Sequence, residues 1–248
     1  MAKKDFWEDW KRKTKIELKV IEVVKKARQL ILKNLPKNEI VGIYCKGSLP
    51  RREMNRFSDI DMLTIIKHSK YLPKLERLQK ENKKSLGLPV HLGGISIYEL
   101  KKGKHCKTSK KKASTSRVLK QILNYKIIYG KGLEINDFPV RSDAVDLESL
   151  IKFYKEYLIP AYKNKKVGFS EIVKGTFWLV EDEQKFKTGK SSTSWKNLIK
   201  SIKDKKHIIH ETLKLRLHPI KDKKVRKEFL RKLIKYISSL EKDLKKCQ

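Results

Sequence analysis

The chain lacks the features of membrane, secreted or disulfide-stapled proteins. No uninterrupted run of about 18 apolar residues occurs, so no membrane-spanning helix is expected. The opening stretch, Met1-Ala-Lys-Lys-Asp-Phe-Trp-Glu-Asp-Trp10, lacks the apolar core of a secretion signal. Cysteine is scarce. Cys45, Cys106 and Cys247 are odd in number and far apart, so they make no framework and read as reduced thiols. These absences predict a cytoplasmic protein without a membrane partner. Acidic residues are scarce as well: 28 Asp and Glu face 62 Lys and Arg, a net charge of +34. Adaptation to heat usually adds Glu together with Lys, so it does not account for the imbalance. The charge implies a polyanionic partner, because each cation placed near a phosphate releases a condensed counterion. RNA is the favoured nucleic acid, and binding of a nucleotide triphosphate alone would not require so many cations.

What is present suffices for a folded protein. With 248 residues, 39% of them apolar, and eight Phe and nine Tyr, the chain can bury one large core or two small ones. The most informative stretch is Lys46-Gly-Ser-Leu-Pro-Arg-Arg-Glu-Met-Asn-Arg-Phe-Ser-Asp-Ile-Asp61. It reads as Gly47-Ser48, ten residues, then Asp59-x-Asp61. Apolar runs flank it, Ile40 to Cys45 before and Met62 to Ile66 after, as expected of two strands around a turn. Side chains two apart on a strand share a face, which would set Asp59 and Asp61 side by side. Two adjacent carboxylates repel, and a hard divalent cation such as Mg²⁺ relieves that repulsion. Gly47 lets the backbone approach a ligand closely, and Ser48 adds a hydroxyl and an amide N–H, a setting suited to phosphate.

This constellation resembles the nucleotidyltransferase family that includes DNA polymerase β, the CCA-adding enzymes, the aminoglycoside nucleotidyltransferases and the small MNT antitoxins. The family pattern runs Gly-Ser, a small residue, Arg, Gly and an acidic residue, then Ser-Asp-x-Asp. Gly47, Ser48, Arg51, Glu53, Ser58, Asp59 and Asp61 match it in register, while Arg52 stands where the family has Gly. The resemblance implies a metal-dependent nucleotidyltransferase that moves a nucleoside monophosphate from ATP or another NTP to an acceptor. Asp59 and Asp61 would hold Mg²⁺ or Mn²⁺. Gly47, Ser48, Arg51, Arg52 and Ser58 would bind the nucleotide, with Lys46 a further candidate for the triphosphate. The spacing between Gly-Ser and Asp-x-Asp equals that of the MNT proteins.

The family usually places a third carboxylate on the next strand, where it activates the attacking hydroxyl. Here that strand reads Val90-His91-Leu92 and holds no acid, so His91 takes the corresponding position as general base or metal ligand. Glu99, or Glu181 and Glu183 farther on, are alternative stand-ins. Without any of these, the chain would be a catalytically silent RNA-binding protein on the same scaffold. The last alternative is an MNT-like enzyme acting on a protein or small molecule. Aminoglycosides are cations, which a +34 chain would repel unless its cleft were locally acidic.

The expected fold class is α/β: a small mixed-sheet nucleotidyltransferase core followed by an all-α helical bundle. Residues 1–138 would form the first domain and 144–248 the second, divided around Pro139 to Asp143. Periodicity predicts one long helix over 5–35, strands at 40–45, 59–66, 90–97 and 126–130, and helices over 70–83 and 114–123. A short helix over Leu49 to Asn55 would point its N-terminus at the phosphates. Lys101 to Lys112 reads as a basic loop. Four amphipathic stripes follow: 147–158 ended near Pro160, 170–186, 195–217, and 229–244. Gly189-Lys-Ser191 is no phosphate loop, because its upstream glycine is missing. His207 and His210 have no third ligand at metal-site spacing.

Overall fold

The computed structural model describes residues 4–54, 58–82, 85–106 and 114–246. The chain folds as two compact units, Met1–Val140 and Arg141–Gln248.

In the first unit, α1 (Lys15–Asn34) precedes a four-stranded sheet of β1 (Ile40–Lys46), β2 (Ile60–Ile66), β3 (Val90–Ser96) and β4 (Lys126–Gly130). The strand order is β3-β2-β1-β4. β1 runs antiparallel to β2 and β4, whereas β2 and β3 are parallel, so the sheet is mixed as expected. The crossover from β2 to β3 carries α2 (Leu72–Glu81). α3 (Ile97–Lys102) and α4 (Thr115–Ile122) lie between β3 and β4. Both faces of the sheet are buried. Ile43, Cys45, Ile60, Met62 and Ile66 pack with residues of α1 and with Leu72, Leu75 and Leu78 of α2. Tyr44, Leu63, Ile65 and Ile95 pack with Leu100, Leu119 and Ile122 of α3 and α4.

The structure corrects several expected boundaries. α1 starts at Lys15 rather than residue 5, because Thr14 and Glu17 form a capping box that fixes the first turn. The preceding segment is irregular, yet it is packed: Trp7 is buried in the α1 core, and Phe6 meets Trp7 and Trp10 edge to face. Arg28 of α1 ties this segment to the sheet, donating to Asp5 at 2.7 Å and to the Ile128 carbonyl of β4 at 2.9 Å. The helix expected from Leu49 is instead a tight turn, with the Arg52 N–H on the Leu49 carbonyl and the Glu53 N–H on the Ser48 carbonyl. Arg52 sits in the left-handed region, φ 55°, which ends any helix there. Asp59 lies just before β2. The loop expected over 101–112 begins after α3, and its residues 107–112 fall outside the described residues, as do Asn55 and Lys83.

The second unit is helical: α5 (Asp143–Phe153), a π turn (Tyr154–Leu158), α6 (Ile159–Lys163), α7 (Phe169–Thr188), α8 (Trp195–Ser201), α9 (Ile208–Leu217) and α10 (Lys223–Lys246). The first stripe does not end at Pro160. The π turn hands on to α6, and Pro160 occupies its first turn, where a missing N–H costs least. The expected third helix is two, α8 and α9, broken at Lys203 to Lys206. Their shared core includes Tyr154, Phe177, Leu198, Ile209, Phe229 and Leu233. Phe177 stacks on Trp195 with ring centroids 4.4 Å apart, so it is core rather than a base platform, while Trp178 is partly exposed. Gly189 is the left-handed cap that stops α7, φ 69°.

Candidate active site

The strand register assembles the site. Lys46 at the end of β1 pairs with Asp61, and Asp61 pairs with His91 at the start of β3. Paired residues share a sheet face, so Lys46, Asp61 and His91 form one row across three strands. The row lies on the face that Tyr44, Leu63 and Ile95 bury farther along. At its end the apolar cover is absent: the Asp61 side chain is 27% exposed and that of His91 is 54% exposed. His91 Nδ1 stands 3.7 Å from Asp61 Oδ1, an ion-pair distance but too long for a hydrogen bond.

Gly47 follows Lys46 with φ +78°, and the Cβ it lacks would fall 3.0 Å from Asp61 Oδ2. Backbone and carboxylate therefore approach as closely as only glycine permits. Ser48 is partly exposed and its hydroxyl donates to the Met54 thioether at 2.7 Å. Leu49 is buried and anchors the turn in the α1 core. Arg51 Nε donates to Glu53 at 2.8 Å, leaving the guanidinium at the partly exposed rim of the turn. Asp59 is exposed and Ser58 partly so.

Arg52 is turned elsewhere. Its Nε donates to Glu17 Oε1 at 2.9 Å, a terminal nitrogen donates to Glu17 Oε2 at 3.1 Å, and the same nitrogen reaches the Arg12 carbonyl at 2.6 Å. The guanidinium also lies 4.6 Å over the Trp10 ring. The hydrogen bonds from Arg52 hold the Glu17 carboxyl down at about 2 against the opposing effect of burial, with the Thr14 amide and hydroxyl helping. Glu17 is a residue that sequence reasoning missed, although Thr14-x-x-Glu17 is a legible capping signal.

The alternative acids are placed as structural groups. Glu99 is fully buried in the capping box of α3 and accepts from the Ser96 and Cys106 amides. It follows the far end of β3, where Ser96 pairs with Ile66, whereas His91 pairs with Asp61. Five residues of strand separate those ends, roughly 16 Å. Glu99 is therefore not the third carboxylate. Glu181 pairs with Lys185 at 2.8 Å. Glu183 is 3% exposed and accepts from Lys187 at 2.8 Å, from His207 Nε2 at 3.1 Å and from the Tyr236 hydroxyl. Burial opposes its ionisation, but the hydrogen bonds from His207, Lys187 and Tyr236 outweigh it and hold the carboxyl at about 2. A carboxylate so fully partnered is a poor proton acceptor. His207 is likewise structural: Nδ1 accepts the Ile209 amide and caps α9.

Among the described residues no group of three or more His, Cys, Asp and Glu stands ready to hold a cation. The donor set is instead Asp59 and Asp61, two residues apart and both reaching solvent. Mg²⁺ is commonly held by one or two carboxylates and completed by substrate phosphates and water, so this open pair fits a cation that arrives with a nucleotide.

Residues 24–129 match the family model for the nucleotidyltransferase domain. Among solved structures, the chain is similar to the spectinomycin adenyltransferase AAD(9) from Enterococcus faecialis, determined with ATP and spectinomycin. The TM-score is 0.59 and the identity 16%, with 91% of this chain and 99% of that one covered. A toxin-antitoxin structure with AMP-PNP matches at a TM-score of 0.32 and 19% identity over 60% of this chain and 95% of that one. No curated protein matches by sequence. The Gly47-Ser48 turn and the Asp59-x-Asp61 strand lie inside the matched stretch, so residues 24–129 are similar to the nucleotidyltransferase domain in both motif and fold.

Proposed function

We propose that the chain transfers a nucleoside monophosphate from ATP to a hydroxyl of an RNA acceptor, with Mg²⁺ or Mn²⁺. The observation that carries this reading is the row Lys46, Asp61 and His91 beside Gly47. Asp59 and Asp61 hold the cation, and a bound cation supplies charge neutralisation at the reacting phosphate and the leaving pyrophosphate. The Gly47 and Ser48 backbone receives the outer phosphates, and Lys46 and Arg51 offset their charge. The acceptor oxygen bonds to the α-phosphorus as its bond to pyrophosphate breaks, and the hydroxyl proton passes to the His91 imidazole.

RNA is preferred on charge, +34 over the chain. A small-molecule acceptor is the second reading, supported by the likeness to a spectinomycin adenyltransferase over most of both chains. Against a cationic small molecule, Glu181 and Glu183 of α7 are already paired with Lys185 and Lys187.

The test is label transfer from each α-³²P NTP, with Mg²⁺ or Mn²⁺, to total RNA, protein and small-molecule pools. Wild type is compared with Asp59→Ala plus Asp61→Ala. Metal-dependent labelling of RNA, preferring ATP and lost in the double variant, is the expected result. Labelling confined to a small-molecule pool would move the acceptor to that class. RNA binding with no labelling from any NTP would leave a silent binding protein.

A further inference from the structure

We infer that Arg52 and Glu17 form a latch that orders the nucleotide turn, and that Arg52 is a positioning residue rather than a phosphate ligand. The inference rests on the nucleotide-binding reading of Gly47 and Ser48. Arg52 occupies a left-handed conformation, φ 55°, that favours glycine, so the backbone pays a strain that something must offset. Its side chain supplies the offset. Two donors bind the two oxygens of a carboxylate that is 4% exposed, a third contact goes to a carbonyl, and the guanidinium covers an indole. A bidentate arginine–carboxylate pair fixes orientation as well as distance.

The anchor is rigid. Glu17 belongs to the first turn of α1 and is held there by Thr14 through two hydrogen bonds, of 2.8 and 3.2 Å. The carbonyl and the indole belong to the segment before α1, which Trp7 and the Asp5–Arg28 pair pin to the core. The turn itself is short. Arg52 N–H closes it on Leu49, and Gly47 lies against Asp61. Fixing Arg52 therefore fixes the backbone from Gly47, which lies against Asp61, to Arg52. If the turn is unlatched, the fraction of molecules with a binding-competent turn falls, and apparent affinity falls with it.

The experiment compares wild type, Arg52→Gly, Glu17→Gln and the double variant. Gly suits the backbone at 52, and Gln still serves the capping box, so both variants keep the fold. Two readouts are taken: hydrogen exchange of the amides in residues 47–53, and binding of the Mg²⁺ complex of a non-hydrolysable ATP analogue. The expected result is faster exchange in each single variant and a Kd raised about 10-fold, with the double variant no worse than either single one. Weaker binding in Arg52→Gly alone, with Glu17→Gln unchanged in both readouts, would overturn the latch and make Arg52 a direct phosphate ligand. Unchanged exchange in both variants would overturn it outright. Absence of analogue binding in wild type would instead count against the nucleotide-binding reading, while the exchange readout would still decide the latch.

Discussion

Asp61 and His91 stand opposite one another across the parallel strands β2 and β3, with Oδ1 and Nδ1 3.7 Å apart. The register sets a titratable base beside the carboxylate, at a position where the family usually has a third acid. Moving His91 by one residue would send it to the other face, so the pairing register decides whether an imidazole stands beside Asp61.

If His91 accepts the proton, His91→Ala lowers nucleotidyl transfer by about 10² to 10⁴-fold, the usual contribution of a general base. Its exposed side chain makes loss of folding a minor concern. His91→Asp is expected to retain more activity than His91→Ala and to extend it to lower pH, because a carboxylate stays ionised there. Rates of both variants across pH 5 to 9 check this.

Gly47→Ala should cripple the site without unfolding the unit. The residue has φ +78°, and the new Cβ would stand 3.0 Å from Asp61 Oδ2. The left-handed backbone costs about 1–2 kcal/mol, and a site displaced by 1 Å loses about 100-fold in rate. Steady-state transfer and a thermal melt of the same preparation separate the two effects.

Gly175 lies inside α7, where helix propensity alone favours Ala by about 1 kcal/mol. Packing reverses the sign. A Cβ there would run into the Tyr154 hydroxyl and come within 3.2 Å of Leu158 Cδ2, both on the π turn. Gly175→Ala should therefore destabilise the protein by about 1–3 kcal/mol, as overpacking does. Urea unfolding followed by helix content gives the answer.

Glu183 links acid stability to the helical unit. Its folded carboxyl titrates at about 2, below the ordinary 4.5, so its contribution is complete above about 4.5 and is lost as pH falls toward 2. The shift corresponds to roughly 3 kcal/mol at neutral pH. Glu183→Gln should lose stability of that order at pH 7 and show a flatter dependence between pH 5 and 2. Denaturant titrations at both ends of that range are the check.

Much of this was legible in the residues. The alternation of apolar runs around Gly47-Ser48 placed β1 and β2 within a residue. Thr14-x-x-Glu17 and Ser96-x-x-Glu99 carry the capping-box signal. Given their full weight, those signals would have started α1 at Lys15 and removed Glu99 from the catalytic candidates. The break between α8 and α9 carries no Gly or Pro, and only the five polar residues Lys203 to His207, which interrupt the apolar period, mark it.

By itself, the sequence determined the fold class, a small mixed sheet followed by helices, and singled out Asp59 and Asp61 as the candidate carboxylates. These depend on periodicity and on a motif local in the chain. Tertiary structure alone decided the partners. Arg52 and Glu17 are 35 residues apart, and Glu183 and Tyr236 are 53 apart. Which charge meets which depends on strand register and helix packing, and no local pattern of residues encodes those distances.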